Sequence, residues 1–192
     1  YYDREDWDTA LEYCFKSENI NIEIKNKPEL INVYNNISLL YFNKNDLSSS
    51  LDYCLKSQKI CTQIHDETAL AGVYNNMGLI YVTQELWNDA LECYLKSKKI
   101  FSKIGSKIDL ATVYYSIATV YSRLNNKKAI EYIDKATEIF NSEKDTINSY
   151  EFEKLKEIQN DIYKIFGITE KKGKGKEEKV KRKGERRKRP DE

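Results

Sequence analysis

The sequence has little of what a β-sandwich, a membrane protein or a secreted protein needs. Its 192 residues include two Pro and seven Gly, too few for the many turns of a β-sandwich, whereas abundant Lys, Glu and Leu favour helices. No apolar run approaches the roughly 18 residues of a membrane span, and the first residues lack the basic and apolar regions of a signal peptide. Because the sequence does not begin with Met, we expect a fragment or a processed form.

Residues that bind metals or perform catalysis are also scarce. The spacing of Cys14, Cys54, Cys61 and Cys93 matches neither a zinc ribbon nor a thioredoxin-like pair, and the single histidine, His65, has no ligand set near it in the sequence. No glycine-rich phosphate loop or nucleophile elbow occurs. We therefore expect no enzyme, no cofactor and no metal site. We interpret the cysteines as buried reduced thiols, with redox sensing as the alternative. Reduced thiols favour a cytoplasmic location.

The sequence does contain an internal repeat with a period of 40 residues. One segment reads YNNISLLY at 34–41, YNNMGLIY at 74–81 and YYSIATVY at 114–121. A second segment reads WDTALEYCFKS at 7–17, LSSSLDYCLKS at 47–57 and WNDALECYLKS at 87–97, with a looser copy, NKKAIEYIDKA, at 126–136. A fixed period of about 20 to 50 residues is typical of repeat proteins. Since the first segment occurs three times and the second four times, we expect the chain to begin inside a repeat.

Each copy of the first segment predicts a helix with one buried face. Tyr34, Ile37, Ser38 and Tyr41 follow the i, i+3, i+4, i+7 spacing of such a face. The small residue in its middle lets the partner helix approach closely; in the three copies it is Ser38, Gly78 and Ala118. Matching small residues on the second helices are Ala10, Ser50, Ala90 and Ala129. Helix N-caps are predicted at Asn26, Asp66 and Ser106.

These segments resemble the tetratricopeptide repeat, whose pattern is W-x2-L-G-x2-Y followed by A-x3-F in the next helix. The second copy matches this pattern at Tyr74, Met77, Gly78, Tyr81, Ala90 and Tyr94. The period is 40 instead of about 34, and Ser102 stands where a closing Pro would fall. Both departures imply longer second helices, as in a forty-residue subclass of the family. The resemblance, which covers about residues 1–140, implies an all-α fold, a right-handed superhelix of antiparallel helix pairs.

We divide the chain accordingly. Residues 1–25 are predicted to be the second helix of an incomplete repeat, 26–65, 66–105 and 106–141 three repeats, 145–166 a capping helix, and 167–192 a disordered basic tail. The capping helix is predicted to bury one apolar stripe, formed by Phe152, Leu155, Ile158, Ile162 and Ile165. The alternative for that segment is a coiled coil leading to a further domain.

The resemblance implies that the first helices line a concave groove. Opposite the buried Tyr face we therefore expect partner-binding residues, which are Asn32, Asn36, Leu39, Asn43, Asn76, Leu79, Thr83, Ser116, Thr119 and Arg123. An Asn amide both donates and accepts, as a peptide unit does, so this groove is predicted to hold a partner peptide or helix. Alternatively, Asn36 and Asn76 tie neighbouring helices together or face solvent. A carboxylate clamp is disfavoured because Arg123 is the one charged residue of the set.

The predicted function is a non-catalytic protein-protein interaction scaffold. The alternative is the regulatory or sensory arm of a larger signalling protein, with a kinase, cyclase or transcription regulator elsewhere. Residues 171–192 carry 12 basic and 5 acidic side chains, net +7, against net −6 for the rest. For this tail three roles remain open: a solubilising terminus, a phosphate-backbone or nuclear-import patch giving weak nucleic-acid contact, or contact with an anionic membrane surface.

Overall fold

A computed structural model of the protein describes residues 4–143 and 149–168. These residues form eight helices and no strand. The helices are α1 (Arg4–Glu23), α2 (Lys27–Asn43), α3 (Leu47–Ile64), α4 (Glu67–Thr83), α5 (Trp87–Ile104), α6 (Lys107–Arg123), α7 (Lys128–Ser142) and α8 (Ser149–Ile165). Within the described ranges, no helix has both the length and the apolar character needed to cross a membrane. The predicted all-α fold is confirmed, whereas the basic tail beyond residue 168 lies outside the described residues.

The turns from α1 to α7 repeat every 20 residues, half of the sequence period. In each turn one residue has a φ between 50° and 77°, in the left-handed region; these residues are Lys25, Asn45, His65, Glu85, Gly105 and Asn125. The next N–H in each turn donates to the carbonyl oxygen five residues earlier, over 2.8 to 3.2 Å. This is the Schellman arrangement that ends helices. Six equivalent turns give each helix the same reversal of direction, and consecutive helices therefore pack antiparallel.

Side-chain caps fix the starts of three helices. The predicted caps at Asn26 and Asp66 accept hydrogen bonds from the backbone N–H groups of Glu29 and Ala69. Asp46, which was not predicted, caps α3 in the same way through Ser49.

Ser106 is the N-cap residue of α6, as predicted, but its side chain makes no capping hydrogen bond. Its hydroxyl instead donates to Asp109 Oδ2 over 2.6 Å.

Helix pairs form at the predicted small residues. α2 packs on α3, α4 on α5 and α6 on α7, and each pair also contacts the next. Where α2 crosses α3, Ser38 Oγ lies 2.9 Å from the backbone oxygen of Ser50, and Ser50 Oγ donates back to the oxygen of Ser38 over 2.8 Å. Ala90 and Ala129 are fully buried at the equivalent crossings. The small residues therefore let the helix backbones meet, as predicted.

The α4–α5 crossing is built differently from the α2–α3 crossing. Gly78 carries no side chain, and the ring of Tyr94 from α5 fills the space above it. Tyr94 is 3% exposed. In the third pair, Ala118 and Ile133 occupy the corresponding positions of the repeat, and both are fully buried in one core cluster. A larger residue on the second helix thus accompanies a smaller residue on the first.

Helix α8 packs on α7 and on α6. Leu155 and Ile162 are buried and Ile158 is partly buried, as predicted, whereas Phe152 lies outside the described side chains. The prediction for Ile165 is wrong, because its side chain is 58% exposed and Phe166 packs against the core in its place. At 100° per residue, position 166 lies about 20° from Leu155 around the helix, whereas position 165 lies about 80° away.

All four cysteines are free thiols; three are buried and Cys14 is partly buried. His65 is exposed in its turn. No group of three or more His, Cys, Asp or Glu side chains that could hold a metal ion occurs among the described residues.

Candidate protein-interaction groove

The first helices α2, α4 and α6 carry the predicted partner-binding residues, and we call the surface they form the first-helix face. A pocket of about 260 Å³ opens on this face between α2 and α4. It is lined by Asn35, Asn36, Ser38, Leu39, Phe42, Ser50, Asn76, Leu79 and Ile80. The fold therefore brings together four of the ten predicted residues, two from each helix. We call this cavity the amide pocket.

The amide pocket combines unpaired amides with exposed apolar groups. Neither Asn36 nor Asn76 has a hydrogen-bond partner among the described residues, so they do not tie the helices together. Leu39 is 56% exposed and Leu79 is 43% exposed. Exposing two leucines beside two uncommitted amides leaves a surface that offers both apolar contact and hydrogen bonds.

The hydroxyl groups of the predicted set are committed within their own helices. Thr83 donates to the backbone oxygen of Leu79, and on α6 Ser116 and Thr119 donate to the carbonyl oxygens four residues earlier. Such bonds leave the hydroxyls as acceptors and use up their protons. The face therefore changes in character along the chain, from free amides on α2 and α4 to acceptor groups on α6.

The remaining predicted residues lie outside the amide pocket. Asn32 donates to Glu29 Oε2 over 3.2 Å. Asn43 and Arg123 are exposed at the last turns of α2 and α6, and no partner of either lies among the described residues. Asn32, Asn43 and Arg123 therefore sit at the edges of the first-helix face.

Sequence reasoning missed the neighbouring asparagines. Asn35 Oδ1 and Asn75 Oδ1 are buried and lack a hydrogen-bond donor within the described part of the chain. A buried acceptor without a donor costs roughly 1–3 kcal/mol. The repeated YNN triplet was the available signal, but the sequence alone does not say which of the two amides is buried.

Two family models described as tetratricopeptide repeat match this sequence. One matches residues 69–142 and the other residues 31–63, which together cover most of α2 to α7. A search among curated proteins found no match.

Solved structures with the same arrangement of helices include BtubC (BKLC) from P. vanneervenii, with a TM-score of 0.79 and 16% identity, over 97% of this chain and 77% of that one. The apo form of RapI has a TM-score of 0.73 at 20% identity, covering 83% of this chain and 44% of RapI. A signal transduction ATPase with numerous domains (STAND) and a tetratricopeptide repeat sensor, from Pyrococcus horikoshii, has a TM-score of 0.67 at 21% identity. The match covers 83% of this chain and 28% of the ATPase. The chain thus spans less than half of the latter two. At these identities the likeness concerns the fold.

Proposed function

This chain belongs to the tetratricopeptide repeat family, a family of protein-interaction scaffolds, and we propose that its first-helix face binds an extended peptide segment of a partner protein. No step of this proposal requires a catalytic group. The observation that carries it is the amide pocket, where the amides of Asn36 and Asn76, without a partner among the described residues, lie beside exposed leucine side chains.

A peptide main chain has the groups that this pocket lacks. Its N–H groups can donate to the Oδ1 atoms of Asn36 and Asn76, and its carbonyl oxygens can accept from the amide N–H groups of the same two side chains. Each bond contributes about 1 kcal/mol net. Several such bonds are needed for useful affinity, which the repetition of Asn on α2 and α4 provides.

Apolar side chains of the peptide supply the rest of the binding energy. Leu39 and Leu79 lie exposed on either side of the pocket. Covering apolar surface contributes about 25 cal/mol per Å², so burying these two side chains stabilises a complex by a few kcal/mol at most. The amides then set the path of the main chain, and the leucines favour apolar ligand residues.

The test is a binding comparison between the wild type and the double variant Asn36→Ala, Asn76→Ala. Peptides selected on the wild-type chain should bind the double variant at least ten-fold more weakly, while its helicity and thermal midpoint stay unchanged, because neither side chain makes a hydrogen bond within the described protein. The matched control is Asn88→Ala, Asn141→Ala, two exposed asparagines on second helices. Unchanged binding by the double variant would refute the groove proposal, and lost helicity would show that the amides are structural.

The sensory-arm function is the second candidate, favoured by one observation. The Pyrococcus horikoshii structure similar to this chain is described as carrying its tetratricopeptide repeats as a sensor in a signal transduction ATPase. In that case the first-helix face would report peptide binding to another domain. Sequencing the gene around this segment tests the idea, since it requires a coding region for a catalytic or DNA-binding domain in the same reading frame.

A further inference from the structure

A second pocket lies at the other end of the first-helix face, between α6 and α8. It has a volume of about 360 Å³ and is lined by Ile108, Thr112, Tyr115, Phe140, Lys154 and Leu155. Phe140 and Leu155 are buried, whereas Ile108 is 42% exposed. We call this cavity the end pocket. Its volume and apolar walls suit one large apolar side chain.

Lys154 is the charged residue in the lining of the end pocket, and it makes no ion pair with the described residues. Its side chain is exposed, and no carboxylate among the described residues pairs with it. The other described lysines of α8 are paired, Lys156 with Glu153 and Lys164 with Asp161. At the first residue of α6, Lys107 pairs with Glu143. Among the described residues, nothing therefore competes with an external anion for the Lys154 ammonium.

The lining next to Lys154 offers at most one further side-chain donor, the hydroxyl of Tyr115. Thr112 Oγ1 donates to the backbone oxygen of Ile108 over 3.1 Å, so its proton is already used. A carboxylate in the end pocket would thus meet the flexible Lys154 ammonium and no cluster of backbone N–H groups. A peptide C-terminus is captured by several converging donors, whereas an acidic side chain can bind one ammonium and keep its other oxygen in water.

We infer that the end pocket holds a large apolar residue of the bound peptide, such as Phe or Leu, whose neighbouring residue is Asp or Glu and pairs with Lys154. This inference rests on the proposed function, because it places the peptide along the first-helix face that Thr112 shares with the amide pocket. The end pocket supplies selection by charge, which the neutral amide pocket cannot.

The two pockets can be reached by one short peptide. Packed helices lie about 10 Å apart, so two first-helix spacings separate the pockets by about 20 Å. An extended chain covers this distance in about six residues. A segment of about nine residues therefore spans both pockets with room at each end.

The experiment is a selection from a library of random segments, about nine residues long, displayed in a loop so that no chain end is available. Selection on the wild type should enrich a large apolar residue next to Asp or Glu. On Lys154→Gln the apolar preference should persist and the acidic preference should disappear. On Ile108→Asp, which places a negative charge at the rim, the apolar-acidic pair should be depleted. Lys164→Gln is the matched control on α8 and should behave as the wild type does.

A synthetic capped peptide from that selection then gives the magnitude. Its affinity should fall by roughly three- to five-fold on Lys154→Gln, and by the same factor when the acidic residue of the peptide becomes its amide, with no further loss in combination. An acidic preference that persists on Lys154→Gln overturns the inference while leaving the groove proposal standing. Enrichment confined to a library with free C-termini also overturns it, in favour of chain-end capture. No enrichment by the wild type overturns both proposals.

Discussion

The ring of Tyr94 occupies the space that a side chain at Gly78 would need: a Cβ atom at position 78 would lie 2.6 Å from Tyr94 Cε1 and 2.8 Å from Cδ1. Real Cβ contacts are longer, and the ring is held by its buried surroundings. At the α4–α5 crossing, the missing side chain of Gly78 thus leaves the space that the large ring of Tyr94 fills.

Gly78→Ala should therefore lower the free energy of unfolding by about 1–2 kcal/mol, because overpacking outweighs the roughly 1 kcal/mol that Ala gains over Gly in a helix. Gly72→Ala is the matched control in the same helix, since nothing lies within 4 Å of its added Cβ; it should raise stability by about 0.5–1 kcal/mol. Urea unfolding measures both. Equal effects of the two substitutions would mean that Tyr94 yields freely.

Replacing Tyr94 by Ile should abolish the cost of Gly78→Ala. The third repeat already pairs Ala118 with Ile133, both fully buried, so the double variant recreates a combination that this fold accommodates. A double-mutant cycle of unfolding free energies should show a coupling of at least about 1 kcal/mol. Additive effects would show that the clash lies elsewhere.

Alkaline pH should destabilise the protein through Tyr94. Burial raises the pKa of Tyr94 to about 12, above the value of about 10 for an unfolded tyrosine. The stabilising effect of the protonated phenol is thus complete below about pH 10 and is lost as pH rises towards 12. Between about pH 9 and pH 11, the wild type should lose about 1.4 kcal/mol relative to Tyr94→Phe. A difference between the two proteins that does not change with pH would exclude a buried phenol.

The left-handed turn residues predict substitutions of opposite sign. Glu85 has a φ of 59° and Gly105 has a φ of 77° at equivalent turns. A side chain in this region costs about 1–2 kcal/mol, so Glu85→Gly should stabilise the protein by up to about 1 kcal/mol after the entropy of the added glycine, and Gly105→Ala should destabilise it by about 1 kcal/mol. Thermal unfolding measures both. The same sign for the two variants would contradict equivalent turns.

Cysteine reactivity should separate Cys14 from the others. Cys54 and Cys61 are fully buried and Cys93 nearly so, whereas Cys14 is partly exposed. Burial also raises the pKa of every one of these thiols, that of Cys93 to about 11, so thiolate is scarce at neutral pH. A thiol reagent should label one cysteine slowly in the native protein and four after unfolding. Cys14→Ser should remove the native signal, and rapid labelling of a second thiol would contradict the buried interpretation.

Much of the fold could be predicted from the sequence, because repetition states the same local rule several times. The i, i+3, i+4, i+7 face around Ser38, the small residues at the crossings and the three predicted N-cap positions follow from spacing and residue type. The prediction that failed concerned a single position in the buried stripe of α8. Ile165 was assigned to the buried stripe of α8, although the helical period from Leu155 already favours Phe166, which packs against the core in the structure.

The candidate site was less accessible to sequence reasoning. Asn36, Leu39, Asn76 and Leu79 were predicted from the helical face and do line one pocket. Whether a polar group is free for a ligand depends on its partners, however. The hydroxyls of Thr83, Ser116 and Thr119 looked equivalent to the amides but already donate to their own helices.

The sequence by itself determined that this protein is a stack of helix pairs, because hydrophobic periodicity and residue size act over a few neighbouring positions and recur every 40 residues. Tertiary structure alone decided which groups remain unsatisfied. Asn35 Oδ1 is buried without a donor, and the Lys154 ammonium lies beside no carboxylate, among the residues that the structure describes. Burial and pairing depend on which side chains packing brings together. They make the first-helix face neutral at the amide pocket and positively charged at the end pocket.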